Sequence, residues 1–370
     1  MLVILRPEAE ESHGKSGGWR DSAPSITVWG RQRILAELPK RPWLNLSPDP
    51  LLEGNLPSRL FWQHIKLTRL ARQNCDVLLV PGSTYTGGFK PFVAMSQSLL
   101  PFEPSERRRY GLTWLHLRYL LLEKSQGITF HYATGVIFLT RTAQQVVARQ
   151  IGAIRGKVAI VPHGVAKDFE RPPQPQQPLS AYSWGRLFRW LYVSIVNFYK
   201  HQWHVVEAIA ALRREGVPVE LDLVGPAYPP ALRRLQEIVK RIDPRGEFIH
   251  YRGGVPYHKL MGYYHQANGF VFASSCETFG QTLLEAMISG LLIACSNRSA
   301  MPEILGGAGV YFDPENPQEI AQALNHLMLS PQERERCAWD GYTRAAQFSW
   351  ERCARETFSF LAKVAGGSGS

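Results

Sequence analysis

Short runs that are apolar on successive residues alternate along this chain with stretches whose apolar positions recur every three or four residues. In the second half the alternation is regular: 191–196, 219–224, 248–251, 270–273, 291–294 and 310–312 read as strands, with helical patterns between them. Leu223-Val224-Gly225 and Phe270-Val271-Phe272-Ala273 show no polar alternation, as expected of strands covered on both faces. Segments 331–346 and 350–364 close the chain as helices rich in Arg and Glu. This order predicts an α/β fold of parallel sheets wound by helices.

The first half is less regular, with strands predicted at 26–29, 77–80, 92–95, 136–139 and 158–161. An open α/β domain normally begins with a strand, a Gly-rich turn and a helix, yet Met1 to Leu5 is followed by about twenty polar residues before Ile26. A displaced or truncated first βα unit is therefore predicted. Segment 171–180 has neither helical nor strand periodicity and four prolines, which predicts an interdomain linker. A chain of 370 residues exceeds what one core usually serves. The predicted division is a first Rossmann-like domain over 1–170, a linker over 171–185 and a second such domain over 186–346. A closing helix over 347–365 and a Gly/Ser tail over 366–370 of flexible-linker composition complete it.

Composition narrows the partners. No run of eighteen apolar residues occurs, and Met1 to Pro7 is too short for the apolar region of a signal peptide, so a cytoplasmic protein is expected. Cys75, Cys276, Cys295, Cys337 and Cys353 form no C-x-x-C pair, which argues against structural zinc and against a disulfide framework. The formal charge of +11 is uneven: residues 1–180 hold 23 Lys and Arg against 13 Asp and Glu, and 181–370 hold 19 against 18. A basic first half suits a nucleic acid, an anionic membrane or an acidic substrate. No nucleic-acid recognition motif accompanies it, and no nucleic-acid partner is predicted.

The segment Ser274 to Met287 follows an apolar strand and precedes a helical pattern, with Gly280 at the turn. Unpaired amides at such a helix start make an anion site suited to a diphosphate. Glu277 lies just before the helix and Glu285 within it. By spacing alone the two read more readily as a helix-dipole partner and a solvated face residue than as binding groups. Beside a diphosphate, their alternative use is to accept hydroxyl hydrogen bonds.

Strand, Ser-x-x-Glu-x-Phe-Gly, Leu-Glu-Ala-Met, Gly290 and a second apolar strand resemble the Glu-x7-Glu block of family 4 glycosyltransferases, the glycosyl transferases of group 1. Thr140, the stretch Lys157 to Val165, Leu223-Val224-Gly225, Gly254-Val255 and Pro302-Glu303-Ile304 match further landmarks in order, so the resemblance runs from about 75 to the end. It implies the GT-B fold, two Rossmann-like domains facing a cleft, with the last helix returning to the first domain. It also implies retention of anomeric configuration and no metal or other cofactor. Carried over by position, Glu277 serves the hydroxyls of the transferred sugar, and Phe279, Gly280, Gln281 and Thr282 offer amides to sugar and diphosphate. Glu285 serves the ribose, Val255 lies against the base, and Lys200 is the diphosphate cation, acting with Glu277 in catalysis.

Two positions depart from the pattern. Ser194-Ile195 stands where the family carries Gly-Arg, leaving Arg252, Arg186 and Arg189 as alternative cations. Gln97 stands where many relatives carry a histidine, so Gln97 and Ser98 are the acceptor-side candidates. No Asp-x-Asp pair is available for a donor-bound metal, and Glu220-Leu221-Asp222 reads as strand alternation or solvent exposure. Gly14-Lys15-Ser16 lacks the first glycine of a P-loop and is set aside. Glu106 to Lys124 reads as one helix with a basic start, Arg107-Arg108-Arg109, and a broad apolar stripe. It suits either core packing or an anionic membrane on the inner face of the cell membrane. The implied activity is transfer of a hexose from a nucleoside-diphosphate sugar to a glycan or lipid-linked hydroxyl in cell-surface polysaccharide assembly. The alternative is a nucleotide-sugar-binding protein without turnover.

Overall fold

The computed structural model describes residues 2–7, 24–82, 84–85 and 87–366. Gly14-Lys15-Ser16 and the last four residues of the tail lie outside them. Among the described residues, those of 1–102, 112–161 and 354–370 form one compact unit, and those of 103–111 and 162–353 form the other.

The first unit holds seven strands: β1 (Leu2–Pro7), β2 (Pro24–Gly30), β3 (Leu44–Pro48), β4 (Val77–Val80), β5 (Phe92–Ser96), β6 (Gly135–Phe138) and β7 (Lys157–Ile160). Their order is β3-β2-β1-β4-β5-β6-β7. All pairings are parallel except those of β1, which runs antiparallel to β2 through Val3↔Val28 and to β4 through Val3↔Leu79. The irregular opening of the sequence therefore corresponds to a reversed strand in the middle of the sheet. β4, β5 and β6 are buried along their whole length, which explains their uninterrupted apolar runs. Phe102, Phe130 and Phe138 pack together on this sheet. Phe360 and Val364 of the last helix, Trp350–Gly366, lie where a side chain at Gly135 would project.

The second unit holds β8 (Phe188–Val193), β9 (Val219–Val224), β10 (Ile249–Gly253), β11 (Gly269–Phe272), β12 (Leu292–Ser296) and β13 (Val310–Phe312). They form one parallel sheet in the order β10-β9-β8-β11-β12-β13. β8 begins and ends three residues earlier than its apolar run predicts, because Arg189 sits inside it and pairs with Glu220 across the ladder at 2.7 Å. Segment 171–180 runs along this unit: Arg171 N–H donates to the Ile288 carbonyl at 3.0 Å. Gly290 has φ +69°, and a side chain there would meet Arg171 O and Pro173 N, both 2.7 Å away. That glycine lets the proline-rich segment lie close against the helix end.

The single helix read over 106–124 is two. Pro104–Arg108 ends at Arg109, and Trp114–Tyr132 starts anew with Thr113 as its cap. Gly111, at φ +58°, turns the chain between them. Arg107 and Arg108 thus occupy the last turn of a short helix, where its dipole favours cations.

Candidate functional site

β8 leaves the sheet at Val193. Asn197 then accepts the Phe198 N–H at 2.8 Å and starts a single tight turn, Phe198–Lys200. His201 follows in the left-handed region at φ 50°, a conformation non-glycine residues seldom adopt, and opens helix Gln202–Arg214. The turn is held from below by Tyr192, whose hydroxyl donates to Lys200 O at 2.5 Å. Lys200 is buried over the rings of Tyr199 and Phe272, at 5.1 and 4.9 Å.

A buried ammonium needs a counter-charge, and β11 supplies it. In the loop after Phe272, Glu277 forms an ion pair with Lys200 through Oε1, and Ser274 Oγ donates to the same oxygen at 2.8 Å. Ser275 N–H donates to Tyr199 O at 2.9 Å, and Ser275 Oγ lies 2.9 Å from His201 Nε2. Ser299 Oγ accepts the Glu277 N–H and donates to the Glu277 carbonyl, both at 2.9 Å. Ser274 and Ser275 thereby fix the carboxylate's loop to the lysine's turn, and Ser299 fixes the same loop to the one after β12. β8 and β11 are neighbours from which the strand order runs out in opposite directions. The pair stands at the topological switch point of the sheet, where open α/β sheets bind ligands.

Helix Gln281–Ile288 starts immediately beyond, with Gly280 at φ +86° as its N-cap. The amides of Gln281 and Thr282 open the helix and have no acceptor within it. Phe279 is buried against the rings of His163 and Phe348. Gln281 Nε2 donates to Gly164 O at 2.9 Å. Glu285, one turn along, is buried, and Tyr264 donates its hydroxyl to Oε2 at 2.9 Å. Burial pushes the Glu285 carboxyl up to about 7, against the lowering effect of the Tyr264 hydrogen bond. Val255 is half-buried in the loop after β10, at the same carboxyl edge of the sheet. Lys200, Val255 and the 277–285 segment thus line one edge of one sheet.

The three arginines considered for the second diphosphate cation differ in position. Arg189 lies on β8 near the opposite edge, bonded to Glu220, and Arg186 precedes that strand with its guanidinium over the Tyr182 ring. Neither reaches the carboxyl edge. Arg252 lies near it, but its Nε is held by Asp222 Oδ1 at 2.6 Å. Glu220 and Asp222 are buried rather than solvent-exposed, their charges matched by these arginines.

A second charged cluster lies beside the site, and no local pattern in the chain points to it. Arg109 binds Glu315 through two bonds of 3.0 and 2.7 Å and Glu106 through Nε at 2.8 Å. Arg298 joins at 2.7 Å from Glu315 and 2.8 Å from Asp313. The Arg109 hydrogen bonds hold the Glu315 carboxyl at about 2. Burial first, then the Arg109 charge, pushes His201 down to about 3, so its imidazole is neutral. Tyr110 donates to Asn197 Oδ1 at 2.8 Å, tying the same short segment to the turn before Lys200. Residues from four distant stretches build this cluster, and no local spacing announces it. Ser274 and Tyr264 were the other unrecognised partners. Gln97 and Ser98 belong to the other unit, exposed at the carboxyl end of β5, and Gln97 Nε2 lies 3.3 Å from Met95 Sδ.

Residues 187–344, which contain Lys200, Val255 and the whole 277–285 segment, match the family described as glycosyl transferases group 1. The chain is 36% identical over 125 residues to the O-antigen chain mannosyltransferase B of Escherichia coli, covering 34% of this chain and 32% of that one. It is 30% identical over 167 residues to the MMP alpha-(1->4)-mannosyltransferase of Mycolicibacterium hassiacum, covering 44% of this chain and 39% of that one. The aligned part therefore spans well under half of either relative. Anabaena HepE, solved in complex with UDP and glucose, superposes with a TM-score of 0.68 over 93% of this chain and 92% of its own, at 16% identity. The fold is GT-B. Within this GT-B chain the Lys200–Glu277 pair lies in the unit that carries the family match.

Proposed function

We propose that this chain is a retaining, metal-independent glycosyltransferase that moves a hexose from a nucleoside-diphosphate sugar to a hydroxyl of a glycan or lipid-linked acceptor, in cell-surface polysaccharide assembly. One observation carries the reading: a buried lysine and a glutamate converge at the switch point of a parallel sheet, beside a helix N-terminus. Lys200 is the fixed cation for the leaving diphosphate, supplying the charge stabilisation that a metal ion provides elsewhere. Glu277 has a second carboxylate oxygen for sugar hydroxyls, and the Phe279 to Thr282 amides face the sugar and diphosphate. Glu285 takes the ribose hydroxyls and Val255 the base. Gln97 and Ser98 serve the acceptor side.

In the proposed step the bond between the anomeric carbon and the diphosphate oxygen breaks, and the acceptor oxygen bonds to that carbon on the same face. The acceptor proton passes to the departing phosphate, so no protein base is required. Positioning and electrostatic stabilisation then supply most of the rate.

A screen of UDP, GDP and ADP sugars, read by release of nucleoside diphosphate with and without acceptor, tests the reading. Both relatives are named as mannosyltransferases, so mannose is the first sugar to try. Turnover with one donor supports a transferase. Tight binding with no release under any acceptor condition favours the silent alternative, for which Ile195 in place of the customary arginine is the specific observation.

A further inference from the structure

Helix Trp114–Tyr132 presents two different faces. Gln126, Thr129 and Phe130 face the core of the first unit. On the opposite side Trp114, Leu117, Leu121, Ile128 and Tyr132 recur at helical spacing and are 45–74% exposed, with Leu112 fully exposed just before the helix. An apolar stripe over five turns of helix is not explained by packing within the chain.

Charge selects what covers it. Arg118 and Lys124 are exposed among these residues, and Lys90 lies over the Tyr132 ring at 5.8 Å. The one acidic residue of the helix, Glu123, is about 160° around the axis from the centre of the stripe at 3.6 residues per turn. The exposed face therefore carries large apolar side chains and cations without a carboxylate. A second copy of the chain, meeting this face through a two-fold axis, would set Arg118 and Lys124 against their own counterparts. An anionic surface supplies the missing countercharge. Leu60, Phe61 and Ile65 of the same unit are also exposed apolar side chains. Their neighbour Gln63 donates to Thr84 O, and Thr129 of the long helix bonds Tyr85, so both helical segments border the same loop.

We propose that the exposed face of Trp114–Tyr132 is a docking surface for an anionic lipid bilayer, with the helix lying in the plane of the interface and Trp114 at the headgroup level. The arginine run Arg107-Arg108-Arg109 is not the basis of this surface: Arg107 is buried and Arg109 is bound by Glu315 and Glu106. No helix among the described residues is long and apolar enough to cross a membrane, so attachment here is peripheral. The inference does not depend on the transferase reading, because lipid binding is measured without a donor.

The test is co-sedimentation of the full chain with vesicles of phosphatidylglycerol and phosphatidylcholine, against vesicles of phosphatidylcholine alone. Binding only to the anionic vesicles, weakening as salt is raised, is expected. Leu117→Ser with Leu121→Ser should lower partitioning by about tenfold per leucine. Arg118→Glu with Lys124→Glu should lower it by about fivefold per charge. Leu329→Ser, at an exposed leucine of the other unit, should leave it unchanged. Melting temperatures of all variants, expected within a few degrees of wild type, separate loss of docking from loss of fold. Absence of binding to anionic vesicles overturns the proposal, and so does equal binding by the leucine variants. Self-association that these variants abolish, without vesicle binding, assigns the face to a second copy instead.

Discussion

Lys200 and Glu277 are 77 residues apart in sequence, yet their side chains meet across two adjacent strands at the one place where the sheet order reverses. Each is nearly buried, and each is the other's charge partner. Removing one alone leaves a desolvated charge, at a cost of about 3–5 kcal/mol, whereas removing both is cheaper. Lys200→Met and Glu277→Gln should therefore each lower the melting temperature, and the double variant should recover much of the loss. Urea unfolding of the four proteins measures this coupling, and additive losses would show that the pair is not a unit. In the transfer assay Lys200→Met should lower kcat by about a hundredfold or more. Glu277→Gln should lower turnover with little change in nucleotide affinity.

If Glu285 takes the ribose as proposed, nucleotide binding should depend on pH. A ribose donates two hydroxyls, and only the carboxylate form accepts both. Burial raises this group to about 7 in the folded chain, so affinity should rise with pH up to about 7 and level off above it. Below that value it should fall by about tenfold per pH unit. The folded carboxyl binds its proton more tightly than the unfolded one. Its contribution to stability is thus present at low pH and lost as pH rises from about 4.5 to about 7. Isothermal titration of UDP or GDP between pH 5 and 8 reads the first effect. Glu285→Ala should weaken binding and flatten the profile, and an unchanged slope in that variant would remove the ribose assignment.

The sheet of the second unit was legible because its strands are covered on both faces and so are apolar on successive residues. A glycine turn, a helix start and two glutamates lie within about a dozen residues, but it is the resemblance of that block, not its spacing, that singles out Glu277 and Glu285. What local pattern misled on was interruption by charge. Arg189 hid the true start of β8, since its partner Glu220 is distant in sequence, and Gly111 divided a helix whose apolar stripe seemed continuous. The reversed β1 was not legible, because strand direction depends on where the chain returns rather than on which residues the strand contains. The Arg109–Glu315 cluster, with partners more than 200 positions apart, has no local signature.

Gly280 connects backbone conformation to the proposed diphosphate site. At φ +86° a side chain is disfavoured by about 1–2 kcal/mol, and a Cβ there would come within 2.7 Å of Met301 Cε. Gly280→Ala should lower the melting temperature modestly. Because the residue also caps helix 281–288, it should weaken diphosphate binding more than the stability loss alone explains. Comparing UDP with uridine separates the two effects: the variant should lose affinity for the diphosphate and keep its weak affinity for the nucleoside.

His201 ties the Lys200 turn to a measurable acid sensitivity. Its ring is fully buried, bonded to Ser275, stacked on His204 at 5.4 Å and exposed to the Arg109 charge. Burial and that charge lower its folded value from 6.5 to about 3, so the unfolded chain binds a proton that the folded chain refuses. Stability should accordingly fall as pH drops below 6.5, by about 1.4 kcal/mol per unit from this residue, until the folded imidazole itself titrates near 3. His201→Asn keeps a residue that tolerates the left-handed conformation and removes the titration. It should be less stable than wild type at pH 7 because a buried ring is lost, yet its stability should change less between pH 6.5 and 4.5. Urea unfolding at those two values measures the difference. If wild type and variant lose stability in parallel, the acid sensitivity arises elsewhere. Because His201 follows Lys200 directly, the variant should also lower kcat by loosening the turn, and the pH profile of that loss distinguishes a positioning role from a general loss of fold.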